Sequence, residues 1–421
     1  MIIAATLVLT AGLTATLSSA PDETIRLTPV AKGASAKLGG YTPQKTTFTG
    51  EKPGGVTKVP EGLTAPAYGT INIGEGGVHF VIDEPDGKPA TLSIDANRNG
   101  DLTDDAPVEW KGRITKGKDG KPDTTMYNGS AVIDIGEKDK PFMASISMYR
   151  FDRNDPSRAA LKSTLLYYND YAYQGEVNLG GTGYKVMLND AMAKGDFRGA
   201  PLAAGAPESA SSGVSLLIDV NGNGKFDSRG ERFDIARPFN IGGTTYEVSG
   251  MARDGSAFKI VKSSQTVAEI APPPDHGVGK QITAFEATDT AGKTVKFPGD
   301  YTGKIVLIDF WATWCGPCMK EMPSVVKAYQ NHHAKGFEIL GISLDSDKSI
   351  TKMPEVMEKS GMTWRQIADG KYWKAEIAQK YGVNSIPATL LVDGTTGKIL
   401  GANLRGEALD KAIEKALDRS N

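Results

Sequence analysis

Only two cysteines occur in this chain of 421 residues, Cys315 and Cys318, and they stand three positions apart in the sequence CGPC. The apolar run KIVLIDF (304–310) precedes them and predicts a buried strand, and a helix is predicted from about 317 to 335. Strands and helices continue to alternate after this point, which is the pattern of an α/β sheet. The cysteine pair is therefore expected at a junction between a strand and a helix.

The spacing of the two cysteines favours chemistry over a structural role. A chain that keeps no other cysteine has no further disulfides to stabilise it. The alternative is a structural metal site, but such a site needs two more soft ligands, and the sequence offers neither another cysteine nor an HxxxH pair nearby. The sequence therefore predicts a redox-active dithiol.

The two cysteines are expected to differ in their roles. A cysteine at a helix N-terminus faces unpaired backbone amides and the positive end of the helix dipole, which can lower the pKa of a thiol from about 8.5 to between roughly 3.5 and 7.5. Cys315 is thus predicted as the nucleophile. Cys318, one turn later and deeper, is predicted as the thiol that resolves the mixed disulfide.

The segment IVLIDFWATWCGPCMKEMP (305–323) resembles the active-site strand, loop and helix of thioredoxins, in particular the exported TlpA-like group. The resemblance covers residues 277–417 and includes the later segment NSIPATLLVD. It implies a thioredoxin fold for residues 281–421, with a mixed sheet flanked by helices. It also implies that Trp314 shields the dithiol and that Pro387 is a cis-proline facing it.

Further residues around the dithiol are expected to bind a client polypeptide. A cis peptide bond between Ile386 and Pro387 would present a backbone edge to a bound chain, whereas an ordinary trans proline before a strand would not. Gly316 and Pro317 complete this predicted substrate-binding set. Because no histidine stands between the cysteines to stabilise the thiolate, the resemblance points to a reductant.

Two acidic residues are candidates for tuning the thiols. Asp309 interrupts an otherwise apolar strand, and in classical thioredoxins an acid at the matching position accepts the proton of the second thiol. The alternative is an acid that is hydrated or paired with a lysine. Glu321, one turn after Cys318, is typical of the exported group, and an exposed helix glutamate without a chemical role is the alternative.

Peroxide reduction is the rival chemistry for this fold. Peroxiredoxins carry a PxxxTxxC motif in which the threonine helps to bind peroxide. Ile308 and Ala312 occupy the proline and threonine positions here. The sequence therefore favours disulfide chemistry.

The part of the chain before the thioredoxin-like segment is predicted to be rich in β structure. We expect a signal peptide at 1–20, an extended segment at 21–64, an all-β region at 65–262 and a proline-rich linker at 263–280. Within the β region, YGTINIG and YQGEVNLG are similar, and each precedes a strand and an acidic loop. Two repeated β units are therefore predicted.

The two acidic loops have the first half of a calcium-loop pattern, with oxygen side chains at alternate positions and glycine at the sixth. Turns without a metal are the alternative, because the same residues favour turns. The predicted structural Ca²⁺ ligands are Asp95, Asn97, Asn99, Asp101, Asp219, Asn221, Asn223, Lys225 (by its carbonyl), Asp227 and Glu231. No cofactor is expected for the redox chemistry itself.

Together these features predict an extracytoplasmic protein-disulfide reductase with a disulfide-containing client and an upstream electron donor. A membrane contact is expected only if the apolar N-terminal segment stays uncleaved. A net charge of −2 gives no reason to expect nucleic acid. The alternative is a calcium-stabilised binding protein of the cell surface, in which the thioredoxin-like domain is auxiliary.

Overall fold

The computed structural model describes residues 24–74, 76–116, 122–137 and 140–420. The predicted signal peptide lies outside these residues. Two units can be distinguished by their internal contacts. The β unit contains the described residues of Met1–Ile218 together with Arg232–Glu269, and the α/β unit contains those of Asp219–Glu231 together with Ile270–Asn421.

The β unit is built from antiparallel strands in three sheets. The elements are β1 (Ile25–Arg26), β2 (Thr28–Val30), α1 (Ala34–Lys37), β3 (Gln44–Thr49), β4 (Pro66–Ile71), β5 (Val78–Asp83), β6 (Thr91–Ile94), β7 (Lys111–Lys116), β8 (Pro122–Asp134), β9 (Met143–Phe151), β10 (Thr164–Asn169), β11 (Ala172–Leu179), β12 (Thr182–Asp190), β13 (Val214–Ile218), β14 (Arg232–Asp234), β15 (Phe239–Ile241), β16 (Thr244–Ser249) and β17 (Ala257–Lys262). The strand orders are β1-β17-β16-β15, β6-β5-β4-β3-β10-β9-β8-β7 and β14-β13-β12-β11-β2. The prediction that this part of the chain is rich in β-strands is confirmed.

The segment before residue 65, for which the sequence predicts an extended chain, takes part in all three sheets. β1 pairs with β17, β2 pairs with β11, and β3 lies between β4 and β10. In β3 only Phe48 is buried. Strands this short and polar bury too little apolar surface to form a sheet of their own, so they add to sheets made by later strands.

Two parts of the β unit have the same local order. β4, β5 and β6 pair consecutively and lead into the first acidic loop, residues 95–105. β11, β12 and β13 also pair consecutively and lead into the second acidic loop, residues 219–231. The predicted repeat stays a prediction, because shared order of short antiparallel strands also arises without duplication.

The α/β unit contains a five-stranded mixed sheet and a two-stranded hairpin. Its elements are β18 (Phe285–Thr288), β19 (Thr294–Phe297), β20 (Ile305–Trp311), α2 (Gly316–His332), β21 (Phe337–Ser343), α3 (Met353–Ser360), β22 (Arg365–Ala368), α4 (Glu376–Lys380), β23 (Ala388–Asp393), β24 (Ile399–Ala402) and α5 (Gly406–Ser420). The sheet order is β22-β21-β20-β23-β24.

β20 occupies the centre of this sheet and all seven of its residues are buried. It runs parallel to β21 and antiparallel to β23. A strand that is covered on both faces needs apolar residues at successive positions, which explains the run in β20. Since α2 begins five residues after β20 ends, the sheet fixes the start of that helix. Among the described residues, the helices are too short or too polar to cross a membrane.

Candidate active site

A disulfide joins Cys315 and Cys318 at the start of α2. Cys315 is the N-cap residue of the helix, and the backbone N–H of Cys318 donates a hydrogen bond of 3.1 Å to the Cys315 sulfur. Gly316 and Pro317 form the first turn, where proline is tolerated because no helical partner exists for its missing N–H. The helix end thus supplies an amide donor to the sulfur that is predicted as the nucleophile.

The loop that carries Trp314 is held by a buried carboxylate that the sequence analysis missed. Asp345 accepts hydrogen bonds from the backbone N–H of Thr313 at 3.1 Å and from its hydroxyl at 2.5 Å. The Ser343 hydroxyl donates to the same carboxylate at 2.7 Å. Asp345 follows β21, and parallel strands end at the same edge of a sheet as their neighbours. The sequence signal for this contact is an acidic residue just after the buried strand β21, because β21 runs parallel to β20 and ends near the same loop.

Trp314 is 40% exposed beside the disulfide. Its indole N–H donates to the carbonyl of Leu344 at 3.3 Å. The rings of Tyr372 and Trp373 lie 5.0 Å and 5.9 Å from the Trp314 ring, measured between centroids. Three aromatic side chains therefore form a cluster next to Cys315, and only Trp314 had been singled out from the sequence.

The peptide bond between Ile386 and Pro387 is cis, and the carbonyl of Pro387 is held by Arg405. The guanidinium of Arg405 also donates to the Thr389 hydroxyl at 3.1 Å and to the carbonyl of Leu404 at 2.7 Å. Arg405 precedes α5 and is distant in sequence from Pro387. No local pattern pointed to it.

Asp309 is buried in the middle of the central strand, with 3% of its surface exposed. Burial raises the pKa of its carboxyl to about 7, the positive charge of Arg405 opposes this rise, and the negative charge of Glu321 adds to it. The positive charge near Asp309 thus belongs to an arginine, whereas the alternative drawn from the sequence was a hydrated acid or one paired with a lysine. A carboxyl with this pKa can exchange a proton near neutral pH.

Glu321 is half-buried and connects two helices. Its carboxylate accepts a hydrogen bond of 2.6 Å from the backbone N–H of Gly406, the first residue of α5. Glu321 is therefore not an exposed helix glutamate, and its role in tuning the thiols stays a prediction. Glu321 lies where it affects the charge balance around Asp309.

The first acidic loop belongs to the β unit and is closed by its own side chains. Asp95 is buried, and its two oxygens accept hydrogen bonds of 3.0 Å from the backbone N–H groups of Asn99 and Gly100. The side-chain oxygen of Asn97 accepts from Asn99 N–H, and that of Asn99 accepts from Asp101 N–H. These are Asx turns. Calcium at this loop stays a prediction.

The second acidic loop belongs to the α/β unit. Asp219 accepts from Gly224 N–H at 3.0 Å, in the same way as Asp95 accepts from Gly100. Asx turns also occur here, with Asn221 accepting from Asn223 N–H and Asn223 accepting from Lys225 N–H.

Glu231 braces this second loop from its end. It is fully buried, and its two oxygens accept from the backbone N–H groups of Asn221 and Asp227, at 2.9 Å and 2.8 Å. Desolvation and the neighbouring carboxylates raise the pKa of Glu231. The loop thus brings Asp219, Asp227 and Glu231 close together. A cation among them would reduce the repulsion between their carboxylates.

A further group with metal-ligand chemistry joins α2 to α5. Within residues 24–74, 76–116, 122–137 and 140–420, one set of three candidate ligands has its atoms within 4.8 Å of one another: His332, Asp410 and Glu414. His332 is buried, and its Nε2 lies 2.8 Å from a carboxylate oxygen of Asp410. This contact is explained as a hydrogen bond between two packed helices.

Comparison with known proteins places the α/β unit in a defined group. Residues 278–400 match the model of the AhpC/TSA family. The thiol-disulfide oxidoreductase ResA of Bacillus thuringiensis subsp. konkukian is 32% identical over 142 residues, which are 34% of this chain and 78% of the relative. The ResA of Bacillus anthracis is 34% identical over 142 residues with the same shares.

A solved structure is also similar to this part of the chain. The thioredoxin domain of a thiol-disulfide oxidoreductase from Bacteroides vulgatus is 31% identical, with a TM-score of 0.31. The similarity covers 34% of this chain and 99% of that one.

Proposed function

The chain belongs to the thiol-disulfide oxidoreductases of the ResA and TlpA-like type, and from this premise we propose that it reduces disulfides of client proteins outside the cytoplasm. The observation that carries the proposal is the Cys315–Cys318 disulfide at the N-terminus of α2, directly after Trp314, whose side chain is half-exposed. No cofactor is needed, because the two thiols hold both electrons that a disulfide requires.

The proposed reaction has two exchange steps. The Cys315 thiolate attacks one sulfur of the client disulfide, a mixed disulfide forms, and the other client sulfur leaves as a thiolate. Cys318 then attacks the Cys315 sulfur, which releases the client as a dithiol and leaves the intramolecular disulfide seen in the structure. An upstream donor must supply two electrons and two protons to restore the dithiol.

Asp309 is the proposed acceptor of the proton from Cys318 in the second step. Since its pKa is about 7, it is ionised in an appreciable fraction of molecules near neutral pH. Glu321 and Arg405 are proposed to set this pKa from opposite sides, as negative and positive neighbours. Trp314 is proposed to cover the disulfide and to limit the access of water.

The client chain is proposed to lie along the edge formed by Gly316, Pro317, Ile386 and Pro387. A backbone segment that precedes a strand can offer hydrogen bonds to an extended peptide. Arg405 supports this edge by holding the Pro387 carbonyl. Trp314 stands two residues before Gly316 and packs with Tyr372 and Trp373, and these three rings are proposed to border the same edge.

The proposed location rests on the apolar segment at the N-terminus of the sequence, which has the composition of a secretory signal. A membrane contact follows only if that segment is retained. The predicted Ca²⁺ takes no part in electron transfer in this proposal, and its role would be structural. Nucleic acid is not a proposed partner.

The reduction potential of the Cys315/Cys318 pair tests the direction of the reaction. The purified protein is equilibrated in dithiothreitol buffers and its free thiols are counted. A value near roughly −270 mV supports a reductase that depends on a donor. A value near roughly −120 mV would make the protein an oxidant.

A further inference from the structure

The second acidic loop is packed into the unit that carries the disulfide. The side-chain amide of Asn221 donates to the carbonyl of Pro273 at 3.3 Å. A β-carbon on Gly230 would lie 2.4 Å from the carbonyl oxygen of Ile270, and one on Gly382 would lie 3.8 Å from a carboxylate oxygen of Asp227. Residues 219–231 therefore pack against residues 270–273 and against Gly382, two residues after α4 ends.

One oxygen in this loop lacks a partner. Asp219 is 6% exposed, and while its Oδ2 accepts from Gly224 N–H, its Oδ1 is buried without a hydrogen bond. The corresponding residue of the first loop differs, because both oxygens of Asp95 accept backbone hydrogen bonds. A buried, unpaired carboxylate oxygen is costly, and a bound cation removes that cost.

The remaining oxygens of the loop suit a hard cation. Side-chain oxygens of Asn221 and Asn223 follow Asp219 at alternate positions, and the carbonyl of Lys225 stands at the seventh. The carboxylate of Asp227 is linked to the Asn221 amide at 3.3 Å. Oxygen ligands in a loop with such spacing favour Ca²⁺ over metals that select nitrogen or sulfur.

The same loop forms one wall of a cavity of about 220 Å³. Asp227 and Arg229 line the cavity from the loop, and Trp373, Gln379 and Asn384 line it from the rest of the unit. Trp373 contacts Trp314, the neighbour of Cys315. Asn384 lies two residues before Ile386, where the predicted client-binding edge begins. The cavity lining thus includes one residue that contacts Trp314 and one that is close in sequence to the predicted client-binding edge.

We propose that residues 219–231 bind Ca²⁺ through Asp219, Asn221, Asn223 and the Lys225 carbonyl, and that the loop so fixed forms a subsite for a side chain of the client polypeptide. The inference rests on the proposed reductase function and adds a binding determinant to it. A client chain that lies along Ile386 and Pro387 continues toward Asn384, and its next side chains reach the wall that carries Asp227 and Arg229. A small disulfide is too short to do so.

The test uses the full chain and two substrates, a disulfide-bonded polypeptide such as insulin and the small hydroxyethyl disulfide. Rates are measured with excess Ca²⁺ and with a chelator, and Ca²⁺ binding is measured by calorimetry. We expect Ca²⁺ to bind and to lower the KM for the polypeptide several-fold relative to that for the small disulfide. A polypeptide KM that is independent of Ca²⁺ would overturn the proposal.

Variants assign the effect to the second loop. Asp219→Asn should weaken one Ca²⁺ site by about tenfold or more and remove the Ca²⁺ dependence of the polypeptide KM. Arg229→Ala, which leaves the proposed ligands in place, should raise that KM while Ca²⁺ still binds. Glu109→Gln is the matched control, since it removes one exposed carboxylate charge in the β unit.

The outcomes separate this inference from the proposed function. If the wild-type protein reduces neither substrate, the reductase function itself is wrong. If it reduces both but Asp219→Asn binds Ca²⁺ as the wild type does, the metal assignment is wrong. If Asp95→Asn, in the first loop, abolishes the Ca²⁺ effect on KM and Asp219→Asn does not, the assignment to the second loop is wrong.

Discussion

The carboxylate of Asp345 holds Thr313 by two hydrogen bonds, one to its backbone N–H and one to its hydroxyl. Thr313 immediately precedes Trp314, so this contact between the end of β21 and the active-site loop sets the course of the chain into α2. Asp345 is fully buried and also accepts from Ser343. The course of this loop therefore depends on one carboxylate, that of Asp345.

Replacement of Asp345 by alanine should lower the free energy of unfolding by about 2–4 kcal/mol, because several buried donors lose their acceptor at once. The variant should also reduce insulin more slowly, since the Thr313 loop is no longer held. Urea unfolding of the oxidised protein measures the first effect. The control is Glu286→Gln, an exposed charge in the same unit that should change stability by less than about 0.5 kcal/mol. Equal loss in both variants would contradict the role of Asp345.

The two cysteines should give different results when each is changed to serine. Cys318→Ser keeps the nucleophile but cannot resolve the mixed disulfide, so it should accumulate a covalent complex with a client protein. Cys315→Ser should accumulate none. Electrophoresis without reducing agent, after mixing with a disulfide-bonded polypeptide, distinguishes them. A complex that forms through Cys318 alone would reverse the assigned roles.

The rate of the resolving step should rise with pH and level off above about pH 7, because Asp309 must be ionised to accept a proton. Asp309→Asn should remove this limb of the profile and slow the step at neutral pH by roughly 10²-fold or more. Single-turnover release of the reduced client, measured from pH 5 to 9, tests this. An unchanged profile in the variant would exclude Asp309 as the proton acceptor.

Asp309 should also make stability depend on pH. Its folded-state pKa of about 7 lies above the unfolded value of about 3.9, so the folded state binds the proton more tightly. The stabilisation from this tighter binding is complete below about pH 4, falls as the pH rises, and is lost above about pH 7. Asp309→Asn should therefore gain stability relative to the wild type across this range, by at most about 4 kcal/mol. Denaturant unfolding at pH 4, 5.5 and 7.5 measures the change, and a constant difference would contradict it.

Substitutions of Arg405 and Glu321 should shift, in opposite directions, the pH at which the rate of the resolving step rises. Glu321→Gln removes the negative charge that raises the pKa of Asp309 and keeps an oxygen that can accept from Gly406, so the limb should move to lower pH. Arg405→Ala removes the positive charge that lowers this pKa, so the limb should move to higher pH. The same single-turnover profile reports both. Shifts of the same sign would show that the two charges do not act on Asp309.

Local sequence carried most of the information about the dithiol. A buried strand, a CxxC pair and a helix follow one another within a few residues, so the burial of β20 and the position of Cys315 at the start of α2 can be predicted without a structure. Asp345 and Arg405 are different, because each meets its partner only after the chain has folded. No sequence pattern near Asp345 or Arg405 predicts which residue it will contact.

In the β unit too, local sequence predicts the strands but not which distant strands pair with one another. Its strand character follows from alternating residues and turn formers, which are local. The pairing of β1 with β17 joins residues more than two hundred positions apart, and no local pattern specifies such a partner. For the short polar strands before residue 65, the sequence therefore predicts an extended segment but does not specify the sheets that they complete.

The membership of residues 219–231 in the α/β unit has a practical consequence for dissecting the protein. A fragment that begins in the proline-rich stretch would contain both cysteines and all strands of the mixed sheet. It would nevertheless lack the loop that packs against Pro273 and Gly382, and would expose the surface that the loop covers. We expect redox assays on such an excised domain to retain the thiol chemistry and to lose the polypeptide selectivity that we propose for the missing segment.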